Sequence, residues 1–114
     1  MNKYRVAAKP DRTDADGIVF HSKAERLYHE QLKLDPDIAW VLRQVPVQLG
    51  PDYKTVVDFL VSYYAYRVEA HEYKGYVKPA DRKTWKLWKK YAKFPLRIVK
   101  QKGKRFETVK VIEP

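Results

Sequence analysis

The sequence predicts one α/β (α+β) domain over residues 1–114, a mixed β-sheet flanked by helices. Three observations lead there. The chain has 114 residues, and chains shorter than about 200 residues rarely split into domains. Its middle holds Val-, Tyr- and Phe-rich runs of strand length bounded by Gly, Pro and Asp, while two other segments carry apolar stripes at the helical period. The resulting order is strand, helix, three strands, helix, two strands. Such an order gives a mixed sheet with helices packed on it.

Residues 1–16 are polar and basic and read as an irregular arm. GIVFHS (17–22) reads as a short strand running into a helix start. Ser22 to Leu34 follows as a helix, with Ala24, Leu27, Tyr28, Leu32 and Leu34 as its apolar stripe. DPD (35–37) stops it. IAWVLRQVPVQL (38–49) is extended, and Pro46, which has no N–H to give, points to an edge strand or a bulge. GPD (50–52) is a turn.

YKTVVDFLVSYY (53–64) and AYRVEAHEYKG (65–75) are consecutive strands and form a hairpin. Pro79 opens a second helix that runs to about Lys93. Leu87, Trp88 and Tyr91 face the core, and Lys83, Lys86, Lys89, Lys90 and Lys93 cover the other sides. PLRIVK (95–100) and RFETVKVIE (105–113) complete the chain as two strands around a QKGK turn.

Composition narrows the function. The absence of cysteine excludes thiol chemistry, disulfides and cysteine-ligated zinc. No apolar run approaches the roughly 18 residues of a membrane span. The N-terminal MNKYRVAAKP lacks the apolar stretch of a secretion signal, so a cytoplasmic location is expected. The net charge of +10 is concentrated. Twelve Lys and Arg residues lie between Lys78 and Arg105 against one acid, Asp81, and the rest of the chain is close to neutral. Clustered positive charge interleaved with Trp85, Trp88 and Tyr91 is what a nucleic-acid binder presents.

The chemistry centres on VEAHEYKGY (68–76). Strand side chains alternate, so Glu72 and Lys74 share a face. One strand earlier, VVDFLV (56–61) sets Asp58 among five apolar residues, where a carboxylate is costly unless paired or bound to a cation. A simple hairpin centred on Ala65 sets Asp58 opposite Glu72, about 5 Å away on one face. A two-residue loop would put them on opposite faces. Two carboxylates at that spacing, completed by water, the backbone carbonyl of Tyr73 and a phosphate, suit Mg²⁺. The metal polarises a phosphodiester and lowers the pKa of an attacking water. Lys74 is placed to orient that water or to stabilise the pentacovalent charge.

Asp58 followed by Glu72-Tyr73-Lys74 resembles the D…(D/E)xK signature of the restriction-endonuclease-like nucleases. DGIVFHSKAERLYHEQL (16–32), LRQVPVQL (42–49), VVDFLV, the acid-x-Lys-Gly strand and the Lys-rich helix together resemble a family of small phage-encoded nucleases related to Holliday-junction resolvases. The likeness covers roughly residues 16 to 100. It implies a mixed sheet with antiparallel edges, a pair of Mg²⁺ or Mn²⁺ ions, host-cell cytoplasm as the location, and a homodimer cutting two strands symmetrically. It also implies that Glu25 completes the metal site. Read from the residues alone, Ser22-Lys-Ala-Glu25 is a helix capping box, and the two roles are compatible. The family's triplet usually carries a smaller apolar residue where this chain has Tyr73.

Other residues read as follows. Glu69 and His71 fall on the face opposite Glu72; a surface or helix-facing role is expected, and a supporting role behind the metal ligands is the alternative. His21 and His29 show no metal-ligand spacing. Gln48 fits either an active-site amide or an edge-strand polar residue. Trp85 fits the core or a stacking platform, and Trp40 with Tyr63, Tyr64 and Tyr66 fits a dimer face or the core. Lys83, Lys86, Lys89 and Lys90 of the helix and Lys100, Lys102, Lys104 and Arg105 of the last hairpin are expected to grip phosphates, positioning DNA without reading its sequence. A two-fold dimer matches a two-fold four-way junction. Three functions remain open: a junction-cleaving endonuclease, a nuclease of the same fold acting on nicked, flap, linear or single-stranded DNA, and a non-catalytic nucleic-acid-binding module.

Overall fold

The computed structural model describes residues 7–114, which fall into two units, one reaching residue 35 and one spanning 36–114. In the first unit, Lys9–Arg12 forms a single 3-10 turn, held by the Asp11 N–H on the Ala8 carbonyl and the Thr13 hydroxyl on the Lys9 carbonyl. The basic arm expected over 1–16 is therefore ordered from residue 9, and its first six residues lie outside the described ones. The strand expected over 17–22 does not form. Only one isolated antiparallel bridge, Thr13 to Val19, is made. The reason is local: Asp14 Oδ1 accepts the N–H groups of Asp16 at 3.0 Å and Ile18 at 2.8 Å, and Gly17 takes a φ of 82°. The segment closes as a turn because a short acid and a glycine offer the backbone its own partners.

Helix α1, Lys23–Lys33, starts and stops where the sequence indicates. Ser22 Oγ accepts the Glu25 N–H at 3.1 Å, satisfying one of the first-turn donors that have no helical partner. Phe20, Tyr28 and Leu32 are buried, whereas Leu34, counted in the apolar stripe, is the exposed C-cap.

The second unit holds strands β1 (Ile38–Gln48), β2 (Lys54–Tyr63), β3 (Arg67–Tyr73), β4 (Leu96–Lys102) and β5 (Arg105–Ile112), with helix α2 (Pro79–Tyr91) between β3 and β4. The five strands form one sheet in the order β1-β2-β3-β4-β5. β1, β2 and β3 form an antiparallel meander, β3 and β4 are parallel, and β5 returns antiparallel to β4. Parallel neighbours cannot be joined by a tight turn, so α2 supplies the crossover. Pro46 sits on β1, an edge strand, as its missing donor requires.

Loop length sets the register. Tyr64-Ala65-Tyr66 joins β2 to β3 in three residues, with Tyr66 at φ 59° in the left-handed position that such loops usually give to glycine. The pairing runs from Tyr63↔Arg67 to Phe59↔His71, centred on Ala65. The core of this unit gathers Leu49, Val57, Ala70, Leu96, Ile98 and Ile112 around Trp88 of α2, which is fully buried. Trp88 Nε1 donates to the Phe94 carbonyl at 2.8 Å, so the helix's largest apolar group enters the core with its one polar atom satisfied. Gly50, at φ 86°, lies so close under Tyr91 that a Cβ there would meet the ring at 2.8 Å.

Candidate active site

Asp58 stands where β2 loosens from both neighbours. The β1–β2 ladder pairs Arg43 with Phe59 and Val45 with Val57 but skips Gln44 and Asp58, and Gln44 takes a left-handed φ of 51°. The β2–β3 ladder ends one residue earlier, at Phe59↔His71. Beyond that point β3 continues with β4, pairing Glu72 with Ile98 and Tyr73 with Val99. The Tyr73 N–H therefore has no strand partner on the β2 side, and Asp58 Oδ2 accepts it at 3.0 Å. A backbone donor that would otherwise be orphaned orients this carboxylate.

Glu72 is buried next to it. Burial, reinforced by the charges of Asp58 and Asp81 and opposed by Lys74, pushes its carboxyl up to about 7. Lys74 Nζ lies 3.5 Å from Glu72 Oε2 and 2.8 Å from Asp81 Oδ1. Burial acts to lower the Lys74 pKa, but Glu72 and Asp81 outweigh it and hold the ammonium above its ordinary value. The structure thus gathers Asp58, Glu72, Tyr73 and Lys74 at the end of β3, but Asp58 and Glu72 are not the directly opposed ladder pair that the spacing predicts, because the β2–β3 ladder stops at Phe59↔His71. Glu25 lies in the other unit, at the third helical position of α1.

Asp81 is the residue that sequence reasoning missed. It sits in the first turn of α2, where its Oδ2 accepts the Lys78 N–H at 2.8 Å while its Oδ1 takes Lys74. The signal was present: Asp81 is the one acid in the basic stretch, two residues after the Pro79 that opens the helix. Its carboxyl is raised by burial but lowered more by Lys74 and the Lys78 N–H, so it stays ionised.

Glu69 and His71 are not surface residues. Both are buried, and Glu69 is the hub of a network. His71 Nε2 lies 3.0 Å from Glu69 Oε1, Arg97 gives two hydrogen bonds at 3.0 and 3.1 Å, and the Tyr63 hydroxyl donates at 3.2 Å. Arg97 also reaches Thr108 of β5. His71↔Arg97 is a register pair of β3 and β4, which explains why the two side chains meet on one face. Arg97 is thereby engaged within the protein and not offered as a free surface cation. Gln48 resolves as an edge-strand polar residue, its Nε2 donating to the Gly50 carbonyl at 2.7 Å.

The residues expected to contact phosphate differ in exposure. Lys83, Lys86, Lys89 and Lys90 of α2 are exposed, as are Lys102, Lys104 and Arg105 at the β4–β5 turn; Lys100 is half-buried. Trp40, Tyr64 and Tyr66 are exposed, while Tyr63 belongs to the Glu69 network. No helix among the described residues is long and apolar enough to cross a membrane.

Among the described residues, no three Asp, Glu or His side chains are grouped closely enough to hold a metal ion by themselves. The pair Asp58 and Glu72 still fits Mg²⁺, which is ordinarily held by one or two carboxylates and completes its shell with water and substrate phosphate. Glu72, raised mainly by burial and further by the charge of Asp58, is a carboxylate whose ionised form a cation would favour. Compared with protein-family models, curated proteins and solved structures, the chain matches none of them.

Proposed function

We propose that this chain is a metal-dependent endodeoxyribonuclease of the restriction-endonuclease-like type that cuts branched DNA, as a Holliday-junction resolvase does. The observation that carries the reading is the junction of β2, β3 and α2, where Asp58, Glu72 and Lys74 converge on the end of β3 while the α2 lysines lie exposed. The antiparallel pairing of both edge strands supports it.

In this mechanism Asp58 and Glu72, with the Tyr73 carbonyl, would hold Mg²⁺ or Mn²⁺, and water and substrate phosphate would complete its shell. The metal supplies Lewis acidity at the scissile phosphate and a more acidic water. Lys74, steadied by Asp81, directs its ammonium to the water or to the charge developing on the phosphate. The exposed cations of α2 and of the β4–β5 turn hold the backbone on either side. A homodimer gives the symmetric pair of cuts, and Trp40 and Leu42, exposed on edge strand β1, are side chains available to its interface.

The test is cleavage of a labelled synthetic four-way junction beside a matched linear duplex in Mg²⁺, with the wild type, Asp58→Asn and Lys74→Ala. Paired symmetric nicks on the junction alone, lost in both variants, are expected. Cutting of linear, nicked or flap DNA instead would keep the nuclease and replace the substrate. Tight binding with no cutting in Mg²⁺ or Mn²⁺ would overturn the enzyme and leave a binding module.

A further inference from the structure

A cavity of about 430 Å³ opens beside α2, lined by Arg82 and Trp85 of that helix, Ile98 and Lys100 of β4, and Val109 and Lys110 of β5. Its size lies within the roughly 300–1,000 Å³ of small-molecule sites. Three of these side chains are cations and none is acidic. Arg82, Lys100 and Lys110 make no ion pair among the described residues, although Lys102, two residues from Lys100, lies 4.0 Å from Glu107. Like charges converging on one partly apolar hollow repel one another, and an anion placed there relieves all three. The rest of the wall is suited to something flat. Trp85 packs one part of its indole on the core and also lines the cavity, with the Lys110 ammonium 5.6 Å from its ring centroid. Ile98, in the cavity wall, is the ladder partner of Glu72, so the hollow lies one strand away from the acid cluster.

We propose that this cavity binds one unpaired nucleotide of a DNA strand. The base stacks on Trp85, and its phosphates lie among Arg82, Lys100 and Lys110. The incoming base takes the place of the Lys110 ammonium on the indole, and that ammonium meets the phosphate. A bare phosphate site has no use for Trp85, Ile98 and Val109, and a duplex keeps its bases stacked away from them. Aromatic stacking is tolerant of sequence because every base has a π-face. The inference deepens the nucleic-acid reading of the same region but does not depend on catalysis.

The experiment is binding in EDTA, where no cleavage interferes. A labelled oligothymidylate of about eight nucleotides is compared with a blunt duplex of similar length by fluorescence anisotropy and tryptophan quenching. The wild type is expected to bind the single strand with quenching. Trp85→Leu should remove most of that quenching and weaken single-strand binding about tenfold, with duplex affinity changed less than about twofold. Since Trp85 also touches the core, a second variant, Arg82→Gln with Lys110→Gln, tests the exposed rim independently and should show the same selective loss. Equal losses for single strand and duplex, no loss at all, or equally tight binding of an abasic oligomer would each overturn the subsite. A chain that fails to cut DNA yet shows the selective loss would leave this inference standing and remove only the nuclease.

Discussion

Lys74 places its ammonium 2.8 Å from Asp81 Oδ1, closer than its 3.5 Å to Glu72 Oε2, two residues back near the end of β3. The lysine of the acid-x-Lys triplet is thus held from two sides. One partner comes from β3, which Lys74 directly follows, and the other from the start of α2. Asp81 also ties the Lys78 N–H, so it couples the helix start to the end of β3.

Replacing Asp81 with Asn should loosen both connections. The Lys74 pKa is expected to fall, read from the side-chain nitrogen or adjacent carbon signals across an alkaline NMR titration. Stability should drop by about 1 kcal/mol, the usual cost of losing a helix-start carboxylate and a partly screened ion pair, read from the urea midpoint. An unmoved Lys74 titration would show that the ammonium does not use Asp81 in solution.

Glu72 makes the fold pH-dependent in a direction opposite to most carboxylates. Its folded pKa of about 7 lies above its ordinary 4.5, so the folded state holds a proton that the unfolded chain has released. Stability therefore falls as pH rises between those values and stays reduced above them. In metal-free protein, Glu72→Gln should be more stable than wild type at about pH 8, by up to about 3 kcal/mol, and nearly equal to it at about pH 4. Urea midpoints in EDTA at the two pH values decide this. A Gln variant less stable at the higher pH would mean that the ion pair with Lys74 outweighs burial.

Glu69 follows the other rule. The hydrogen bond from His71, then those from Arg97, hold its carboxyl well below the usual range, against the opposing effect of burial. Its contribution is present above the ordinary carboxylate pKa and is lost only when pH falls far into the acid range. Burial lowers the pKa of His71, so the imidazole is neutral and donates its Nε2 hydrogen to Glu69. Glu69→Gln should cost roughly 3 kcal/mol near neutral pH by leaving the Arg97 guanidinium without its anion. Thermal or urea unfolding measures it, and a loss under about 1 kcal/mol would show that solvent replaces the pair.

Ser22 and Glu25 allow the two sides of the helix cap to be separated. Ser22→Ala removes the oxygen that accepts the Glu25 N–H and should cost about 1 kcal/mol, with cleavage retained. Glu25→Gln keeps that N–H and should leave stability nearly unchanged. A Gln variant that loses as much as Ser22→Ala would show that the Glu25 carboxylate also serves the helix start.

Much of the site was legible because it is short-range. Asp58, Glu72 and Lys74 meet through one hairpin, and a three-residue loop centred on Ala65 is sufficient to determine which strand positions come opposite. Asp81 was harder to find because its role needs the crossover: the chain must leave β3, turn, and begin α2 before the carboxylate can reach back seven residues to Lys74. Glu69 was misjudged because alternation tells which side chains share a face but not what covers that face. Arg97, which settles the matter, is 28 residues away on a parallel neighbour.

The sequence by itself determined the helix limits, the hairpins, a β1 that is either an edge strand or bulged, and the spacing of the acid-x-Lys triplet. Each depends on contacts within a few residues: the Ser22 cap, Pro79 at the start of α2, the loop lengths, and Pro46 without a donor. Tertiary structure decided the skipped pair at Gln44 and Asp58, the double hold on Lys74 and the buried Glu69 network. Those depend on which distant groups a closed sheet brings within hydrogen-bonding reach. Periodicity carries no information about a partner that is chosen only after the loops have closed.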